Sequence, residues 1–328
     1  MPVTVQVKEC SPELLAQRKA VNAHLEQMTG SQINWTQAPS AAEYRKWRNE
    51  GLNGFPKPFV LPEASTITIH SSHGDHSIPL RVLTPATEAK GVLLHVHGGG
   101  FVIGSSAGHD KYLKQFADDL SLVVISVEYR LAPENIFPAA CHDVADAILF
   151  ALSEEGTTQL GGPLRVISGE SAGAYLAMWA AIDLRNQEID VREKIAALAL
   201  CYGVYDMSTT PSVKSHTRNI FINAEDTVSF TNAFIPPDQF PTSRLKSAEV
   251  SPLYADLRDL PPALFLVGTE DPLLDDSVFM ASKYSLANND VKLSILREAG
   301  HAFNLVPNIE MAKEGNQEIL DFVRQHLE

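Results

Sequence analysis

The sequence predicts an α/β protein: a mostly parallel, doubly wound sheet with helices on both faces and a helical cap over one end. Three observations predict it. From residue 91 onward, short apolar runs recur: GVLLHVH, LVVISVEY, PLRVISG, IAALALCYG, PALFLVG and VKLSILRE. Several are β-branched and apolar on both sides, which suits strands buried between two layers of helix. Amphipathic stretches near 109–119, 138–152, 172–186, 275–289 and 310–327 separate them, and strand–helix alternation implies parallel pairing through crossover connections. The interval 207–247 breaks this rhythm. It is polar, dotted with phenylalanine and without a clear strand, and reads as an insertion over the carboxyl edge of the sheet.

Ahead of the α/β region, Ser11 can cap a helix, Pro12 suits its first position, and Leu14, Leu15, Val21, Leu25 and Met28 form its apolar stripe. Ser40-Ala-Ala-Glu43 has the capping-box spacing and predicts a second short helix toward Trp47. STITIH, the turn Ser72-His73-Gly74-Asp75 and SIPLRVLTP predict a hairpin. The expected organisation is therefore 1–55 as the N-terminal helical part of a cap, 56–206 with 248–328 as the α/β domain, and 207–247 as the cap insertion.

At 328 residues the chain can bury a large core without disulfides or structural metal. Its formal net charge of -14 argues against nucleic-acid or anionic-membrane partners, which call for clustered Lys and Arg. Cys10, Cys141 and Cys201 lie far apart with no metal-ligand spacing and are expected as free thiols in a reducing compartment. No signal-peptide pattern opens the chain, and no apolar run reaches the ~20 residues of a membrane span. A cytoplasmic protein is the expectation.

The strongest chemical signal is Gly169-Glu170-Ser171-Ala172-Gly173, entered by the strand PLRVIS and left by the apolar helix AYLAMWAAIDL. A strand–turn–helix of this kind presents its serine on a strained turn, and the flanking glycines allow close backbone approach. His97-Gly98-Gly99-Gly100 also ends a strand. Its glycines free backbone N–H groups to converge on one atom, so Gly99, Gly100 and Ala172 are the expected oxyanion hole. A phosphate loop would need a following Lys-Ser/Thr or GxGxxG spacing, and Phe101-Val102-Ile103 supplies neither.

A serine hydroxyl needs a base, and the base an orienting carboxylate. After such an elbow the acid precedes the histidine in the chain. His216, His301 and His326 follow Ser171. His216 precedes every plausible acid and His326 nearly ends the chain, whereas His301 directly follows the strand VKLSILRE, making it the expected base. Glu270, Asp271, Asp275 and Asp276 follow PALFLVG. Asp271 is the candidate, because Pro272 fixes the turn behind it and Asp275 and Asp276 suit the first turn of the next helix.

These landmarks together resemble the hormone-sensitive-lipase-like branch of the α/β-hydrolases, the HGGG/GDSAG-type bacterial esterases. The likeness extends to Tyr129-Arg130-Leu131-Ala132-Pro133-Glu134 with Phe137-Pro138-Ala139-Ala140, to Ser251-Pro252-Leu253-Tyr254-Ala255-Asp256-Leu257, and to Asp271-Pro272-Leu273. It runs from about residue 70 to about 305. It implies the α/β-hydrolase fold, a serine carboxylesterase acting on short- to medium-chain acyl esters with no cofactor or metal, and a homodimer as in many relatives. It also implies that His97 shapes the oxyanion loop and that the YRLAPE segment is scaffold. The chain departs from the pattern at Glu170, where Asp or Thr is usual, at Ala174 for Gly, and at Ala302 in the histidine loop. These bear on substrate preference and not on the presence of a triad. An amidase or formamidase with the same triad is the nearer alternative, and a receptor without turnover the more distant one.

Other histidines take plainer readings. His70, His73 and His76 are expected in a solvated turn rather than as metal ligands. His95, alternating with His97, is expected as a hydrogen-bonded core residue.

Overall fold

A computed structural model describes residues 4–328. Its strands are β1 (Ser65–His70), β2 (Ser77–Leu83), β3 (Val92–Val96), β4 (Val123–Val127), β5 (Leu164–Glu170), β6 (Ala197–Cys201), β7 (Ala263–Glu270) and β8 (Val291–Gly300). They form one sheet in the order β1-β2-β4-β3-β5-β6-β7-β8. β1 and β2 are the expected hairpin and run antiparallel, and every pairing from β4 to β8 is parallel.

The helices are α1 (Pro12–Gly30), α2 (Ala41–Glu50), α3 (Asp110–Leu120), α4 (Ala139–Leu152), α5 (Glu154–Leu160), α6 (Ala172–Asn186), α7 (Val191–Lys194), α8 (Pro211–Ser215), α9 (Ala224–Phe234), α10 (Thr242–Leu245), α11 (Leu274–Leu286) and α12 (Glu310–Leu327). Alternate strand residues feed two cores. Val92, Leu94, Val96, Ile167, Leu198 and Phe265 pack with α4, α6 and α11. Leu93, Val124, Val166, Ala199 and Leu264 pack with α3 and α12. This is the two-sided burial that the apolar runs predict, so the α/β expectation is borne out. No helix among the described residues is long and apolar enough to cross a membrane.

Parallel register brings the chemistry-bearing loops together. Val96 lies opposite Gly169, so the loop after β3 emerges beside the turn after β5. An irregularity after Gly268 restores pairing at Glu270 opposite Gly300, and the next residues of the two strands are Asp271 and His301.

Some local expectations need correcting. At α2 the capping box is half made: Ser40 Oγ accepts from Glu43 N at 3.1 Å, but the Glu43 carboxylate accepts from Trp47 Nε1 instead. The interval 207–247 has no named strand, as expected, and holds three short helices, α8 to α10. The β1–β2 turn is solvent-exposed over residues 72–75, as expected, but it is also anchored. Ser71 Oγ and Ser72 N donate to Asp146 at 2.8 and 2.9 Å, His76 Nε2 lies 2.9 Å from Asp143 Oδ1, and the His73 ring stacks on His142. At the other sheet edge Lys8 N donates to Ile295 O at 3.0 Å, so the N-terminal segment partly covers β8.

Asp143 is buried and accepts from Arg130 N at 2.8 Å, from its Nε at 3.0 Å and from its Nη2 at 2.8 Å. Asp143→Ala would strand Arg130 and His76. We expect it to destabilise the fold by about 3 kcal/mol, read from urea unfolding midpoints, because breaking one half of a buried pair leaves the other uncompensated. An unchanged midpoint would show that the cluster contributes nothing to stability.

Candidate active site

The turn after β5 is built by exclusion. A Cβ on Gly169 would lie 2.6 Å from the Gly173 backbone, and one on Gly173 would lie 1.9 Å from Val96 O. With side chains shut out at both places, the chain turns tightly enough to hold Ser171 at φ 55°, ψ -119°. Such backbone is costly and marks a position that its surroundings over-determine.

The structure brings Ser171, His301 and Asp271 into one line. Ser171 Oγ lies 3.0 Å from His301 Nε2, while His301 Nδ1 lies 3.0 and 3.1 Å from the two carboxylate oxygens of Asp271. His301 and Asp271 are both buried. Asp271 Oδ1 also accepts from Leu273 N at 2.8 Å, which fixes the carboxylate ahead of α11. The His301 ring packs edge-on against Tyr202, centroids 4.7 Å apart. Tyr202 is a positioning contact that no sequence motif marked; its place directly after β6 was the available signal.

The other candidate acids are engaged elsewhere. Glu270 pairs with Arg218 at 2.9 Å. Asp275 accepts from Ser212 N at 2.8 Å. Asp276 is buried and accepts from Tyr205 N, Asp206 N and Thr210 Oγ1 at 2.7, 2.9 and 2.7 Å. Burial pushes its carboxyl up to about 7 against the pull of those donors. Asp275 and Asp276 lie in the first turn of α11, as the sequence predicts, but neither caps it: Asp276 instead binds the chain after β6 and Thr210 ahead of α8. Neither His216 nor His326 bonds Ser171, whose histidine partner is His301: burial lowers the His216 pKa although Asp271 and Glu270 pull it up, and His326 is bonded to Phe322 O and Asp290.

Gly99, Gly100 and Ala172 all line the cavity that holds Ser171 and His301. Among the described residues none of their N–H groups makes a hydrogen bond, which leaves three donors for an anionic oxygen. Gly99 (φ 118°) and Gly100 (φ 58°) need glycine for another reason too: added Cβ atoms would lie 2.1 Å from Ile103 O and 2.2 Å from the Phe230 ring. The loop is braced from below. Tyr129 OH donates to His97 O at 2.8 Å, and Ala132 N donates to Phe101 O at 2.9 Å. Arg45 Nη1, on α2, donates to Val102 O at 2.8 Å. Burial lowers the His97 pKa, and its Nδ1 sits 2.8 Å from Gly98 O. His97 therefore serves the loop as a neutral donor.

Behind the elbow, Glu170 turns away from the hydroxyl into a buried polar group. His95 Nε2 lies 2.8 Å from Glu170 Oε2, and His95 Nδ1 lies 2.9 Å from Ser126 Oγ. The carboxyl is held below its ordinary range: burial opposes ionisation, but the charge and hydrogen bond of His95 outweigh it. His95, His109 and Glu170 place ligand-type atoms within 4.8 Å of one another. Both ring nitrogens of His95 are already used by Ser126 and Glu170, so the cluster acts as polar support for the elbow. His109, depressed to about 4 by burial, stays neutral beside it. Burial pushes the Cys141 and Cys201 thiols up and keeps them inert.

The cavity measures about 1140 Å³. Its walls come from α1, α2, α9 and the intervening loops, with Met28, Trp35, Phe55, Phe221 and Phe230 among the apolar residues. Trp35 stacks on Phe230 at 5.5 Å and Phe55 on Phe221 at 6.5 Å. A nucleophile–base–carboxylate line beside free N–H donors, opening into such a cavity, can perform acyl transfer to water.

Comparisons with known proteins agree with that chemistry. Residues 93–305 match a family model described as the alpha/beta hydrolase fold. An ethyl acetate hydrolase of Pseudomonas putida is 30% identical over 259 residues, covering 77% of this chain and 80% of that protein. A hyperthermophilic esterase from the archaeon Pyrobaculum calidifontis superimposes with a TM-score of 0.77 at 26% identity, covering 100% of both chains. A thermostable carboxylesterase cloned from a metagenomic library gives 0.73 at 26% identity, covering 97% of this chain and 98% of that one.

Proposed function

We propose a mechanism and a substrate range for a chain that belongs to the α/β-hydrolase fold family, in its hormone-sensitive-lipase-like branch, and is a carboxylic ester hydrolase. Ser171 attacks the ester carbonyl while His301 takes the hydroxyl proton, and Asp271 holds the imidazole tautomer and stabilises its charge. The developing oxyanion receives N–H bonds from Gly99, Gly100 and Ala172, each worth on the order of 3 kcal/mol of barrier. The start of α6 adds its dipole to the same point. His301 then protonates the departing alcohol, and water repeats the cycle on the acyl-enzyme. The single observation that carries this reading is the continuous contact Asp271–His301–Ser171, at 3.0 Å on each side of the ring.

The N-terminal helices and 207–247 act together as a cap. Glu26 on α1 pairs with Arg218 at 2.9 Å, and Phe221 N donates to Thr29 Oγ1 at 3.2 Å. Their aromatic residues on the cavity wall favour short- to medium-chain acyl groups, and the relative named as an ethyl acetate hydrolase supports the short end. A p-nitrophenyl series from acetate to palmitate tests this. We expect kcat/KM to peak at or below about eight acyl carbons and to fall at least tenfold by palmitate. A maximum at palmitate would overturn the chain-length assignment. Faster cleavage of the matching anilides than of the esters would favour the amidase reading.

A further inference from the structure

Arg48 is a cation on the cavity wall without a counter-charge. It is the sole lysine or arginine among the residues lining the cavity. Its guanidinium lies 4.3 Å from the centre of the Phe55 ring. Nη1 donates to Pro56 O at 3.1 Å, the one hydrogen bond the fork makes among the described residues. Most other buried or half-buried arginines of this chain are paired: Arg18 with Glu310, Arg45 with Glu134, Arg81 with Asp110, Arg130 with Asp143, Arg218 with Glu26 and Arg297 with Glu9. Half-buried Arg165 and Arg185 also make no ion pair among the described residues, but neither lines the cavity. The chain carries 40 acidic residues against 26 Lys and Arg, so partners are not scarce. The two carboxylates of the lining are already used, Glu170 by His95 and Asp226 by the side chain of Asn34 and by Asn223 N. Burial lowers the Arg48 pKa with no carboxylate to offset it. A place in the last turn of α2 suits a positive charge, but it does not occupy the remaining N–H donors of the fork.

We propose that Arg48 binds a carboxylate carried by the substrate, so that this hydrolase prefers anionic esters: half-esters of dicarboxylic acids or acyl esters of hydroxy acids. The proposal rests on the ester-hydrolase reading of Ser171 and adds the charge of the substrate to it. Bidentate geometry favours a planar carboxylate. A phosphate dianion would meet one cation on a wall that also carries Glu170 and Asp226. The hydrocarbon part of the substrate would lie along the stacked Phe55 and Phe221 rings.

The test compares monoethyl dicarboxylates from succinate to suberate with neutral ethyl esters of equal length. A second arm compares acetylated ω-hydroxy acids with n-alkyl acetates. Each is followed by titration of released acid for the wild type, Arg48→Met and Arg48→Lys. We expect the wild type to favour at least one anionic member by about tenfold or more in kcat/KM. Arg48→Met should abolish that preference mainly through KM, lowering kcat/KM for anionic esters at least tenfold more than for neutral esters of equal length, while Arg48→Lys keeps part of it. Raising NaCl to about 0.5 M should shrink the preference in the wild type, a readout that needs no variant. Neutral esters favoured at every length in both arms would overturn the proposal, as would a preference that survives Arg48→Met. Loss of neutral-ester turnover in all proteins would instead indict the reading of Ser171. Calorimetric binding of free glutarate or adipate, lost in Arg48→Met, then still decides the carboxylate site, and absence of binding to the wild type overturns it.

Discussion

Ser171→Ala is expected to lower kcat/KM on a short-chain ester by about 10⁴-fold or more, with little change in fold or unfolding midpoint. The size of the effect follows from chemistry. Removing the hydroxyl leaves the three N–H donors and the cavity able to bind and polarise an ester, but water must then attack without a positioned nucleophile. The small structural effect follows from geometry. The backbone at φ 55°, ψ -119° is set by Gly169 and Gly173 packing against Val96, and a methyl group adds nothing that the serine side chain did not already occupy. Circular dichroism and a urea curve on the same preparation separate lost chemistry from lost fold. Activity within tenfold of the wild type would remove Ser171 from the mechanism.

The second large effect is at the acid. Asp271→Asn should cost on the order of 10⁴-fold in kcat, because an amide facing His301 Nδ1 stabilises the wrong imidazole tautomer and offers no charge to the imidazolium. Asp276→Asn provides the contrast. Asp276 is equally buried and only five residues away, but it accepts from two backbone N–H groups and Thr210 rather than from His301. We expect that substitution to lower stability by about 2 kcal/mol through a badly matched amide, with kcat within about tenfold on the protein that remains folded. If the two variants exchanged phenotypes, the carboxylate assignment would be wrong.

Much of this was legible in the sequence for identifiable reasons. The strands and crossover helices showed because burial on both faces leaves apolar runs of fixed length. The elbow and the oxyanion loop showed because tight backbone approach demands glycine at set spacings, and Gly173 against Val96 O at 1.9 Å is that demand made visible. The acid was narrowed to four neighbouring carboxylates but chosen only by turn chemistry, since parallel register across an irregular β7–β8 pair decides which one meets His301. Features made by distant partners did not show. Tyr202 beside His301, the Asp143 cluster under the first hairpin and the His95–Glu170 pair each join residues far apart in the chain. The cap was visible only as a broken rhythm. Its short helices bury few residues of their own, and their positions depend on contacts such as Glu26–Arg218, between residues 192 apart. Arg48 was silent for the same reason: an arginine at a helix end is unremarkable until its missing partner is seen.

The site of covalent labelling tests the role of Ser171 most directly. The folded protein would be treated with a fluorophosphonate and, separately, mixed rapidly with a p-nitrophenyl ester and quenched in acid, and the adducts mapped by peptide mass spectrometry. We expect one equivalent of adduct on the peptide carrying Ser171 in both cases, none in Ser171→Ala, and much slower labelling in Asp271→Asn. Rapid ester turnover with Ser171 unlabelled by either reagent, or with the acyl group on another residue, would contradict that role.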